Sequence, residues 1–136
     1  YVCEITNQII DFGVDEIVIA DTIGQANPME VKILFSNLLS MNKSDVFSAH
    51  FHDTRALGLA NIFASLDQGV TKFDSSIGGL GGCPFAPGSS GNLATEDLVS
   101  LLEMMNITTG VDLDSLINSR ILASRMTSLD LSGRII

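Results

Sequence analysis

Apolar residues along this chain fall into short strand-like runs separated by stretches with helical spacing, and the alternation repeats three times. Glu16-Ile-Val-Ile-Ala20 has no helical period, lies between Gly13 and Gly24, and predicts a buried parallel strand with Asp21 at its C-terminal end. Asn27-Pro28-Met29-Glu30 has the order of a helix start, with a capping asparagine, proline at the first position and a capping-box glutamate. Val31, Leu34, Leu38 and Met41 share one face, so the spacing predicts a helix to about Met41. Val46 to His52 predicts a second strand, and Arg55 to Gln68 a second helix that carries Leu57, Ala60, Ile62, Phe63 and Leu66 and closes at Gly69. Val70 to Ser75 predicts a third strand, followed by a glycine-rich segment over Gly78 to Gly91. Two more helices are predicted, one from Ala94 or Thr95 to Met105 with Glu96 and Asp97 in its first turn, and one from near Asp112 to about Met126. The tail from Thr127 to Ile136 has no strong pattern.

Strand and helix units that follow one another at this spacing require right-handed βαβ crossovers and a parallel sheet, which makes the fold class α/β. Active sites in such folds gather at the strand C-termini, and here those positions hold Asp21, His50, His52 and Asp74. A flavodoxin-like sheet needs about five strands and a barrel eight, so three strands predict one partial domain over residues 1–136. The opening residues point the same way, because Val2, Ile5, Ile9 and Ile10 give Val2 to Phe12 the spacing of a helix already under way at Tyr1.

Composition narrows the class of partner. With 46% hydrophobic and 17% charged residues the chain has enough apolar material for a core, and disorder is not expected. A net charge of −9 with Lys and Arg scattered along the chain argues against nucleic acid and anionic membrane surfaces as partners. No apolar run is long enough to span a bilayer, and no basic-then-apolar leader opens the chain. Cys3 and Cys83 do not form a disulfide framework, so a reducing compartment is expected, bacterial cytoplasm or a mitochondrial matrix.

If Val46 to His52 is a strand, His50 and His52 project from the same face, the arrangement by which a rigid element offers two imidazoles to a divalent metal. The same positions also suit a hydrogen-bonded histidine pair at a polar sheet end. Asn92 is either an oxygen ligand or the N-cap of the helix that follows. Cys83 lies among Gly79, Gly81, Gly82 and Pro84, where a thiol on a loop can exchange a proton, although burial is the usual fate of a free cysteine. Asp21 serves as a base or ligand holder, or caps the turn Thr22-Ile23-Gly24. Asp53 and Arg55 either orient His52 and pair with one another or begin the helix. The glycine segment lacks GxxxxGK[ST] and a Rossmann turn, which disfavours nucleotide hydrolysis.

Taken together, Ala20-Asp-Thr-Ile-Gly24, His50-Phe-His-Asp-Thr54 and Gly79-Leu-Gly-Gly-Cys-Pro-Phe-Ala-Pro-Gly-Ser-Ser-Gly-Asn-Leu-Ala-Thr-Glu-Asp-Leu-Val99 closely resemble hydroxymethylglutaryl-CoA (HMG-CoA) lyase, a TIM-barrel metallolyase. The resemblance runs from Gly13 to about Leu116 and implies the last three βα units of a (β/α)8 barrel. It implies His50, His52 and Asn92 as metal ligands, for Mg²⁺ or Mn²⁺, and Cys83, Asp21 and His50 as catalytic residues, with Cys83 acting in proton transfer. Glu96 and Asp97 fall in the family's Thr-Glu-Asp motif and are expected to support the site from behind it. The implied reaction is retro-Claisen cleavage of 3-hydroxy-3-methylglutaryl-CoA to acetyl-CoA and acetoacetate, with an acyl-CoA as substrate. Synthases of the superfamily carry Glu-Arg where this chain has Gly82-Cys83, which favours cleavage over condensation. The family's first strand bears an Arg-Asp pair, a fourth ligand and an enolate stabiliser, and this chain has no counterpart. Arg55 is not a substitute for it. Either an N-terminal half or a second copy of the chain, as a homodimer, would have to complete the barrel; otherwise the piece folds without turnover.

Overall fold

The computed structural model describes residues 1–40, 44–82, 91–131 and 133–135. Its elements alternate in the predicted order: α1 (Val2–Asp11), β1 (Ile17–Asp21), α2 (Pro28–Leu39), β2 (Phe47–Phe51), α3 (Gly58–Leu66), β3 (Phe73–Asp74), α4 (Thr95–Met104) and α5 (Leu113–Thr127). Short 3₁₀ turns occupy Ser44–Val46 and Ile77–Gly79. The three strands form a parallel sheet in the order β1-β2-β3, so α2 and α3 are the crossovers.

Alternation decides which residues face the helices. Phe47, Ala49 and Phe51 of β2 and Ile17 of β1 join Val31, Phe35, Leu38, Ile62, Ala64 and Val70 in one buried cluster. Phe47 and Phe35 are each 1% exposed, and burial of a side chain of that size contributes about 1.5–3 kcal/mol. The other face of the sheet is set by register, which places Val18 opposite Ser48 and Ala20 opposite His50. Val18 and Ala20 are exposed, whereas β2, flanked on both sides, is buried at all its positions except the half-buried His50.

Local chemistry explains the boundaries. Asn27 Oδ1 accepts from the backbone N–H groups of Met29 and Glu30, and Glu30 accepts in return from Asn27 N–H, so α2 starts with the expected capping box. The predicted strand beginning at Val46 instead begins at Phe47, because Ser44–Val46 close a 3₁₀ turn. The helix expected from Arg55 starts at Gly58: Asp53 Oδ1 accepts from Gly58 N–H at 2.9 Å, and Ala56 takes a positive φ of 55° in the intervening turn. The third strand shrinks from Val70–Ser75 to Phe73–Asp74, since only Ala49 and His50 face it as ladder partners. α2 ends at Leu39 with Ser40 as its C-cap, short of the expected Met41, which itself lies outside the described residues.

Candidate metal and catalytic site at the strand C-termini

His50 and His52 emerge from the C-terminal end of the central strand on the face opposite Phe51. Their ring centroids are 5.1 Å apart with the planes inclined at 66°. His52 is buried and its Nδ1 has no hydrogen-bond partner, while the side chain of His50 is 21% exposed. On the neighbouring strand, in register with His50, Asp74 presents a carboxylate oxygen to His50 Nδ1. Asp74 was legible from sequence only as a polar strand end; pairing with His50 required the register.

Asn92 reaches the site through the backbone. Leu93 N–H donates to Phe51 C=O at 3.1 Å, Asp53 N–H to Gly91 C=O at 3.2 Å, and residues 52 and 92 form an isolated antiparallel bridge. The stretch Gly91–Ala94 thus continues from the ends of β2 and β3, since Ser76 N–H also donates to Leu93 C=O. Ala94, not Asn92, is the N-cap of α4, so the capping alternative for Asn92 fails. Its Nδ2 donates to Leu80 C=O at 2.7 Å, which commits the amide nitrogen and turns the carbonyl oxygen toward His52, with which the side chain interacts. Gly81 makes this approach feasible, because a Cβ at its φ of +94° would lie 2.9 Å from Asn92 Nδ2.

Asp21 sits at the C-terminal end of β1, with Oδ1 and Oδ2 each accepting one backbone N–H, from Gln25 and Ala26, at 3.0 Å. The capping role is therefore realised, and the carboxylate still acts electrostatically on His52. Burial first and the adjacent His50 second hold the His52 imidazole below its ordinary value of 6.5, while Asp21 and Asn92 work in the opposite direction. A depressed value keeps His52 neutral at physiological pH, the form in which an imidazole ligates a metal. Asp53 is spent on starting α3 and Arg55 is exposed, so neither follows the orienting alternative. Gly24, in the turn after β1, takes a φ of +64° and would bring a Cβ within 2.5 Å of Thr54 Oγ1, so the loops after β1 and β2 close on one another directly.

Behind this rim, Glu96 is fully buried. Its Oε2 accepts from Gly78 N–H at 2.9 Å, and its Oε1 lies 3.6 Å from Arg120 Nε on α5. Asp97 Oδ1 accepts from the backbone N–H groups of Arg134 and Ile135 at 2.8 and 3.0 Å. The Glu-Asp pair read from sequence as helix-dipole acids thus ties the start of the glycine segment, α5 and the tail to α4. Asn61 was not foreseen: wholly buried on α3, it donates from Nδ2 to Ala26 C=O at 3.0 Å and pins the loop that Asp21 caps. An asparagine among the apolar residues of a predicted helix was the available signal. Cys83 lies outside the described residues.

Among the described residues no three His, Cys, Asp or Glu side chains cluster as metal ligands, so the donor set brought together is two imidazoles and one carboxamide oxygen. No described helix is long and apolar enough to cross a membrane.

Comparison with known proteins gives the arrangement a context. The chain is 48% identical over 118 residues to hydroxymethylglutaryl-CoA lyase YngG of Bacillus subtilis, which covers 87% of this chain and 40% of that protein. It is 43% identical over 113 residues to (R)-citramalyl-CoA lyase of Chloroflexus aurantiacus, with coverage of 83% and 36%. An HMG-CoA lyase structure from Acinetobacter baumannii, in complex with coenzyme A and 3-methylmalate, superimposes with a TM-score of 0.93 at 42% identity over 98% of this chain and 44% of that one. The chain therefore spans about two fifths of the length of the relatives it matches. A profile of the HMGL-like family matches residues 1–122, and the chain belongs to the HMGL-like family.

Proposed function

We propose that this chain carries the metal-binding and thiol-bearing portion of an HMG-CoA lyase, and that the complete enzyme cleaves 3-hydroxy-3-methylglutaryl-CoA to acetyl-CoA and acetoacetate. The observation that carries the reading is the convergence of His50, His52 and the Asn92 carboxamide at one strand end. The orphaned Nδ1 of buried His52 and the committed amide nitrogen of Asn92 fit a cation held by His50, His52 and Asn92. Oxygen and imidazole donors suit Mg²⁺ or Mn²⁺, which when bound polarises the substrate's hydroxyl and carbonyl oxygens.

The protein groups then divide the proton work. Asp21, at the end of the strand next to β2, is the candidate to take the proton of the substrate's C3 hydroxyl, His50 being committed to the cation. As the C2–C3 bond breaks, its electron pair passes to the acetyl-CoA enolate, and the Cys83 thiol returns a proton to that carbon. Glu96, through Gly78 N–H, anchors the segment that leads in sequence toward Cys83.

The position within the barrel belongs to the same proposal. β1 and β3 each have one ladder neighbour among the described residues, and the exposed Val18 and Ala20 share a face with His50. Both features fit three consecutive units of a (β/α)8 barrel, and we take residues 1–136 as the last three, with preceding units carrying the remaining ligand. The 43% identity to a citramalyl-CoA lyase favours one second reading, the same bond cleavage on a different 3-hydroxyacyl-CoA.

The test joins this chain to the N-terminal remainder of the Bacillus subtilis lyase and follows acetyl-CoA release with Mg²⁺, from HMG-CoA and from citramalyl-CoA in parallel. The reading expects release from HMG-CoA, reduced at least a hundredfold in Cys83→Ala at unchanged metal affinity. Preference for citramalyl-CoA selects the second reading, and no release from either sinks both.

A further inference from the structure

Asp74 is half exposed and fills no core space, yet its side chain reaches from the neighbouring strand to His50. Its Cα is in register with that of His50 in the parallel ladder, so both side chains leave the same face at the same level of the sheet. A carboxylate can only accept a hydrogen bond, so the His50 nitrogen facing it, Nδ1, is the one that carries the proton. A neutral imidazole with its proton on Nδ1 has its lone pair on Nε2. His52 lacks any such partner at Nδ1. The two histidines, alike in sequence spacing, are thus held by different means, His52 by burial and His50 by a carboxylate.

We propose that Asp74 is a positioning residue for the metal centre: it fixes the Nδ1–H tautomer and the ring orientation of His50, so that Nε2 is presented as the ligand atom. The inference rests on the metal reading given above. It differs from the plain alternative of a surface ion pair, which would contribute little and leave the histidine tautomer undetermined. Carboxylate partners of this kind raise ligand basicity, and their loss typically weakens metal binding 10- to 100-fold.

Long-range ¹H–¹⁵N spectra of the ¹⁵N-labelled chain, joined to the N-terminal remainder of the Bacillus subtilis lyase, at mildly alkaline pH and without metal, report which ring nitrogen of each histidine is protonated. The same samples titrated with Mn²⁺, with free Mn²⁺ followed by EPR, give affinity. His50 is expected protonated at Nδ1 alone. Asp74→Ala converts it to a tautomer mixture, leaves the His52 pattern unchanged, and weakens Mn²⁺ binding tenfold or more. Asp74→Asn keeps an acceptor oxygen without the charge and restores the His50 pattern and most of the affinity, which separates positioning from misfolding. An unchanged His50 tautomer in Asp74→Ala, or an affinity within twofold of the parent, overturns the proposal. Failure of the metal reading looks different: His50→Ala then binds Mn²⁺ as the parent does, whereas failure of the positioning role alone leaves His50→Ala defective and Asp74→Ala normal.

Discussion

At the scale of single residues, the two histidines were legible because a two-residue spacing on a strand has only one geometric outcome. Asn92 was not, because an asparagine shortly before a helix suits a cap and a ligand equally. Tertiary hydrogen bonding settles the cap question, with Leu93 N–H on Phe51 C=O drawing the segment alongside His52, while the helix starts at Thr95, as expected, with Ala94 as its N-cap. The environment of His52 has a measurable consequence. Its folded value lies below the ordinary 6.5, so between the two the unfolded chain holds more protons than the folded one. Stability is therefore full above 6.5, falls as pH drops through that window, and levels off below the folded value. Urea midpoints measured across this range should decline on acidification in the parent and lose that component in His52→Gln. A parent whose midpoint is flat there would contradict the burial of a neutral imidazole.

Elements were legible where local chemistry is self-contained. The α2 start needed nothing beyond Asn27, Pro28 and Glu30, and the core of β1 followed from its β-branched run. Ends decided by other elements were not. β3 keeps only two ladder residues because Ala49 and His50 alone face it, and α3 starts late because Asp53 reaches Gly58 across a turn with Ala56 at positive φ. The role of Glu96 belongs to this scale, since one buried carboxylate joins α4 to the Ile77–Gly79 turn and to α5. Removing one partner of a buried charge pair leaves the other uncompensated, so Glu96→Gln should cost about 3 kcal/mol in urea unfolding. Adding Arg120→Met should recover a large part of the loss, because the stranded guanidinium, 12% exposed, is then gone. A single variant within about 0.5 kcal/mol of the parent would show that the pair is not what holds these elements.

For the whole molecule, a parallel α/β architecture was predictable from the repeat of strand and helix, and the α/β fold matches HMG-CoA lyase structures at a TM-score of 0.93. The extent of the site was less so: three strands gather two imidazoles and a carboxamide on one rim, in a chain that spans about two fifths of its relatives. This rim is proposed as a metal centre. Pulsed EPR on the Mn²⁺-loaded chain, completed by the N-terminal remainder of a relative, tests that most directly. The account predicts nitrogen couplings from two inequivalent imidazoles, with one set lost in His52→Ala and the other in His50→Ala; a spectrum of bound Mn²⁺ without imidazole nitrogen coupling would contradict it.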